Sequence, residues 1–410
     1  MPTEINVPGL VLIDHELRVP LDHARPDGEQ ITVFAREVAE RDGRDRPFLV
    51  FLEGGPGSEA PRPTRFPTSP GWLDRALVDH RVLMLDQRGT GRSTPVGRLP
   101  GMSASAQAAY LQHFRADSIV RDAELVREAL GVDRWSVLGQ SFGGFCVLTY
   151  LSIAPQSLRR ALFTGGLPPI GADVDEAYRR TYATMRGRNE GYYARYLDRD
   201  RVRELHVRLG VDPIPLPGGD LLTSRRFRQI GMSLGMSDGA AQLRSIVELD
   251  PESPLFAHLV DAALPFAAHP IYAAIHEACY ADGVVTAWSA QRVLPEDYAS
   301  DPTLFTGEHV FPWMFAEYGA LQPLAEAAEL LAQVQWPRLY DAEVLRANDV
   351  PAAAAIYARD AYVDRELSER TAGQVRGLRP WLTNEYEHNG LRADGAHILD
   401  RLLKLSDGDA

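Results

Sequence analysis

Three stretches of this sequence carry residues whose types and spacing suit catalysis. The first is Gly139-Gln140-Ser141-Phe142-Gly143, set between the apolar runs Trp135-Ser136-Val137-Leu138 and Phe145-Cys146-Val147-Leu148. A strand that turns into a helix through Gly-x-Ser-x-Gly strains the backbone at the serine and lifts its hydroxyl above the sheet. A hydroxyl is a poor nucleophile near neutral pH and needs an adjacent base, itself oriented by a third group. The second stretch, Glu53-Gly54-Gly55-Pro56-Gly57, cannot continue the apolar run before it and must form a tight, backbone-exposed loop. Acyl transfer needs two N–H donors for the developing oxyanion. The N–H groups of Phe142 and Gly55 are the candidates. The third stretch is the late run of carboxylates and histidines between Asp360 and His397.

The elements that must position these groups follow from apolar patterning. Short apolar or alternating bursts at 9–20, 29–39, 47–52, 81–85, 135–138 and 158–164 read as strands, as do 350–357 and 378–383. Apolar residues at 119, 120, 125, 126 and 130 have helical spacing, so a helix precedes the serine strand. Strand, helix and strand in that order build a parallel sheet. The predicted fold is α/β: an α/β-hydrolase with a mostly parallel sheet flanked by helices. From about 170 the pattern turns helical, rich in Ala, Arg, Leu and Tyr, until about 335. The expected division is a core of residues 1–169 and 336–410, with a helical cap of 170–335 inserted between two strands.

In this fold the catalytic residues follow the chain order serine, acid, histidine. Of eleven histidines, His388 and His397 come late enough. His388 lies just past the strand at 378–383, where an α/β sheet presents its active site. His397 sits in an amphipathic terminal helix near 394–405 and suits packing or the surface. The acid should follow the preceding strand. Asp360 is the first carboxylate there and Asp364 the alternative. The Asp86-Gln87-Arg88-Gly89-Thr90-Gly91-Arg92-Ser93 segment lacks the Lys-Ser/Thr ending of a phosphate loop and reads as packing beneath the active-site loops.

Taken together, the Gly-Gly-Pro-Gly loop, the Asp-Gln-Arg-Gly-x-Gly-x-Ser segment and the Gly-Gln-Ser-Phe-Gly-Gly elbow resemble the proline iminopeptidases. These are cytoplasmic serine peptidases that release N-terminal proline from peptides. Tyr362-Val363-Asp364-Arg365-Glu366-Leu367 and Asn384 to Arg392 resemble the longer bacterial branch of that family. The resemblance implies Ser141 as nucleophile, Asp360 as acid, His388 as base and short peptides with N-terminal proline as substrates. It implies cap carboxylates that bind the substrate's amino group, for which Glu277 and Glu308 are the candidates, with Phe311 and Trp313 walling the proline ring. Where many members carry His before the Gly-Gly-Pro-Gly loop, this chain has Glu53, expected to point away or to pair with a cation such as the substrate's amino group. The nearest rival is an esterase or amidase of the same fold acting on small acyl substrates. A catalytically inactive binding module is the remote one.

Composition bounds the setting. The 410 residues are 45% hydrophobic and 24% charged, ordinary for a globular protein. A net charge of -13 argues against nucleic acid or an anionic membrane as partner. The start, Met1 to Asn6, lacks the basic and apolar segments of a signal peptide. Cys146 and Cys279 make no disulfide framework, and a cytoplasmic location is expected. No metal-ligand cluster stands out, and no metal or cofactor is expected.

Overall fold

The computed structural model describes residues 3–171 and 173–409. Met1 and Pro2, the start of the segment read above for a leader, lie outside them. Nine strands form one sheet: β1 (Thr3–Val7), β2 (Leu10–Pro20), β3 (Gln30–Ala39), β4 (Phe48–Leu52), β5 (Arg81–Asp86), β6 (Trp135–Gln140), β7 (Leu158–Thr164), β8 (Ala352–Tyr357) and β9 (Leu378–Thr383). Their order across the sheet is β1-β2-β3-β5-β4-β6-β7-β8-β9. The first three strands and β5 pair antiparallel, and β5 through β9 pair in parallel.

The central strands are buried along their whole length because helices cover both faces, which is why they read as continuous apolar runs. Alternate side chains go to opposite faces. Leu49 and Phe51 of β4 join the cluster formed with α1 (Leu73–Asp79) and the terminal helix, Gly395–Asp407. Phe48, Val50 and Leu52 join the other cluster, with the helices Ala116–Ala129 (α2) and Phe142–Ile153 (α3). That second core continues without a break into the helices between β7 and β8. Edge strand β9 carries Pro380, tolerated there because an edge strand leaves one side of its backbone unpaired.

Between β7 and β8 the described residues form helices joined by loops, with one short hairpin, Ile214–Pro215 with Leu221–Leu222. Its longest helix, α4 (Val174–Tyr196), starts at Asp173, whose side chain accepts the Asp175 N–H. It buries Tyr178, Thr181, Tyr182, Met185 and Asn189 on one helical stripe. Among the described residues, no helix is long and apolar enough to cross a membrane. The sequence reading missed β1, a strand of mostly exposed residues, and the short helix α1.

Candidate active site

The turn after β6 holds Ser141 at φ 53° and ψ −123°, a conformation that L side chains rarely adopt. Closely packed backbone imposes it. A Cβ on Gly143 would strike the carbonyl oxygen of Leu52 in the neighbouring strand, so only glycine lets α3 start this close to the sheet. Gly54 is restricted less severely: a Cβ there would lie 3.1 Å from the Ser141 Cβ. The glycine loop after β4 therefore runs directly against the serine.

His388 Nε2 lies 3.0 Å from Ser141 Oγ, and its Nδ1 lies 2.8 and 3.0 Å from the two Asp360 carboxylate oxygens. With Nδ1–H donating to Asp360, Nε2 keeps the lone pair that accepts the serine hydroxyl. Asp360 Oδ1 also accepts the N–H groups of Tyr362 (2.9 Å) and Val363 (3.0 Å), which fix the carboxylate in place. All three side chains are buried. Burial works against a charged imidazole, but the Asp360 carboxylate, with a smaller push from Glu308, leaves His388 above its ordinary value. Asp364 does not take part: its carboxylate accepts the Leu367 N–H (3.0 Å) and caps the helix Arg365–Ala372. His397 is an exposed residue of the terminal helix, set edge-on to Trp381.

Several residues that the motifs did not flag hold this constellation together. Gln140 donates from Nε2 to the His388 carbonyl (3.2 Å), and its Oε1 accepts the Thr164 hydroxyl (2.9 Å). It ties the histidine loop to β6 and β7. From the helical segment, Gly235 accepts the His388 N–H (3.2 Å), and Ser237 donates from N and Oγ to Asn389 Oδ1. Arg188 of α4 pairs with Glu387. The Asp86–Ser93 segment packs beneath, as expected: Arg62 forks onto Asp86 (2.9 and 2.6 Å), and Arg88 onto Asp122 (2.6 and 2.5 Å).

Phe142 opens α3, so its N–H is among those that a helix start leaves without an intrahelical acceptor. In the glycine loop the Gly54 N–H donates to Glu53 Oε1 (2.8 Å) and Pro56 has none, which leaves Gly55 as the candidate donor beside the serine. Glu53 lines the cleft together with Ser141 and, among the described residues, pairs with no cation of the protein itself. Burial pushes its carboxyl up from the usual carboxylate value, against the pull of the Gly54 N–H.

Ser141 and His388 open into a cleft of 660 Å³ whose apolar lining includes Trp72, Met232, Met236, Pro265, Tyr272 and Tyr362. Phe311 and Trp313 stack on each other, 5.8 Å between centroids, away from this lining. They do not form the expected wall. Of the two expected glutamates, the structure brings only Glu308 to the cleft. Its carboxylate accepts the Tyr272 hydroxyl and lies 3.4 Å from His276 Nε2. Burial opposes its ionisation, but the His276 hydrogen bond and charge outweigh burial and hold Glu308 below the usual carboxylate value. Glu277 instead faces inward within the helical segment, where Oε1 accepts the Ala290 N–H (2.8 Å). Burial pushes its carboxyl up to about 7, with the Ala290 N–H acting the other way.

Comparison with known proteins adds to this geometry. A family model for the alpha/beta hydrolase fold matches residues 47–211. The chain is 45% identical to a proline iminopeptidase of Aeromonas sobria, over 99% of both chains. It is 33% identical to a proline iminopeptidase of Aspergillus aculeatus, over 95% of this chain and 92% of that one. It is also 33% identical to a probable proline iminopeptidase of Streptomyces coelicolor, over 38% of this chain and 43% of the relative.

Proposed function

The chain belongs to the proline iminopeptidase family of α/β-hydrolases, and from that premise we propose that Ser141, His388 and Asp360 release N-terminal proline from short peptides. It is a serine exopeptidase, and acyl transfer runs through these residues in turn. His388 Nε2 takes the Ser141 proton as the hydroxyl oxygen attacks the prolyl carbonyl. The Phe142 and Gly55 N–H groups receive the oxyanion, and Asp360 stabilises the imidazolium. His388 then protonates the departing amine and the acyl-enzyme forms. Water, deprotonated by the same histidine, releases proline and restores Ser141. The observation that carries this reading is the unbroken path from Asp360 through His388 to Ser141 at the floor of the cleft.

An exopeptidase must recognise a free terminus, and we assign that task to Glu308. A buried, ionised carboxylate pairs with the substrate's protonated imino nitrogen by a charge-assisted hydrogen bond. Residues 170–335 serve as a cap domain that supplies this carboxylate, on a core of 1–169 and 336–410. The net charge of -13 supports peptides rather than nucleic acid or an anionic membrane as partner. Two buried, unpaired cysteines suit a cytoplasmic enzyme. The test compares turnover of a prolyl arylamide with that of its N-acetylated form. We expect the free form to be strongly preferred; equal rates on both would refute terminal recognition.

A further inference from the structure

The cleft holds a cation that the reaction described above does not use. Its acidic, basic and histidine lining consists of Glu53, His269, Glu308, His388 and Arg392. Glu308 lies in the helical segment, while Arg392 lies four residues beyond His388, in the short helix Gly390–Ala393 that follows the histidine loop. Most arginines of this protein are tied to carboxylates or carbonyls, Arg62, Arg88, Arg188 and Arg226 among them near or beneath the site. Among the described residues, no ion pair or side-chain hydrogen bond engages the guanidinium of Arg392, and the residue is exposed. Its charge is nonetheless close enough to bear on Glu53 and His388.

The direction of the leaving group follows from the chemistry. His388 must hand its proton to the departing nitrogen, so the residue after proline lies on the histidine side of the cleft. When that residue is the last of the peptide, its carboxylate stands two bonds beyond the departing nitrogen. An arginine four positions on from the histidine, with a long, free side chain lining the same cleft, can reach a group there. A carboxylate is also what a guanidinium fork binds best, through two parallel N–H···O bonds.

We propose that Arg392 binds the C-terminal carboxylate of the leaving residue and makes the enzyme selective for dipeptides that begin with proline. This rests on the peptidase reading given above. A zwitterionic dipeptide then has each end matched, its imino group by Glu308 on the cap side and its carboxylate by Arg392 on the core side. Glu53 accepts the Gly54 N–H (2.8 Å) and, among the described residues, forms no ion pair with the guanidinium. A longer peptide carries its carboxylate out of reach and loses the contact.

The experiment measures kcat/KM for prolyl-glycine and for prolyl-glycinamide, which differ only in that carboxylate, in the wild type, Arg392→Met and Arg392→Lys. Their ratio within one enzyme is independent of how much of a variant is folded. We expect the wild type to favour the free acid at least about tenfold. Arg392→Met should bring the ratio to about one, and Arg392→Lys should retain part of the preference because it keeps the charge without the fork. Equal use of the two substrates by the wild type, or the same ratio in wild type and Arg392→Met, would overturn the assignment of Arg392. A wild type that releases proline from neither substrate would overturn the peptidase reading beneath it instead.

Discussion

Replacing Glu308 with glutamine removes one charge from the cleft and, with it, the ion pair to His276. The amide oxygen still accepts the Tyr272 hydroxyl, and the side chain keeps its volume beside His276. What disappears is an anion that the structure holds ionised against the cost of burial. A hydrogen bond to a charged group contributes about 1.5–3 kcal/mol. At about 1.4 kcal/mol per decade, its loss should cost roughly 10- to 150-fold in kcat/KM for a prolyl arylamide. A small neutral ester such as p-nitrophenyl acetate offers no cation to Glu308, and its hydrolysis should report only on the serine, histidine and acid. The pH profile provides a second readout. The Glu308 anion helps to raise His388, and only neutral His388 acts as base. Glu308→Gln should therefore move the acid limb of the profile to lower pH. An equal fall on both substrates would sink the assignment, because it would mean that the substitution had disturbed the catalytic residues rather than terminus binding. No fall on the arylamide would sink it as well.

Two further outcomes follow from the same electrostatics. Asp360→Asn keeps the shape but loses the charge that raises His388, so kcat should drop by about three to four orders of magnitude while the acid limb shifts downward; stopped assays across pH 5 to 9 would check it, and an unmoved limb would contradict it. Glu277, raised from 4.5 to about 7 in the fold, contributes stability that is full below pH 4.5 and is lost as pH rises through about 7. That loss amounts to about 3 kcal/mol at about 1.4 kcal/mol per pH unit. Glu277→Gln, which cannot titrate, should gain on the wild type by most of this amount, about 2.5 kcal/mol, between pH 5 and pH 8. Urea unfolding at both pH values would show it, and a difference independent of pH would count against it.

Ser141 and the strand–turn–helix around it were legible because the motif needs its flanking elements, and both flanks are continuous apolar runs. His388 was legible for a topological reason: few histidines come after the last strands, and only one directly follows one. Glu277 and Glu308 were not separable by the same means. Both lie in short, irregular helical pieces, where no periodicity tells which face meets the cleft and which meets the cap interior. Phe311 and Trp313 show a related limit, since an aromatic residue suits a pocket wall and a core equally well. Gln140 occupies a variable position of the elbow motif, and its bonds to His388 and Thr164 join segments far apart in sequence. Strand β1 escaped because an exposed edge strand needs no apolar alternation.

Ser141 and His388 stand 247 positions apart, with the whole helical segment between them, whereas Asp360 and His388 are separated by 28. Synthesis proceeds at about 5–20 residues per second. Ser141 therefore leaves the ribosome's catalytic centre roughly 12 to 50 seconds before His388, its proposed base, is made. For that interval the elbow is an inert serine, and a nascent peptidase cannot act on peptides around it. The same separation makes the first appearance of activity a late event in refolding, since it requires a contact between residues 247 positions apart to close. Turnover thus serves as a clock for completion of the chain's topology, one that collapse or helix formation alone cannot start.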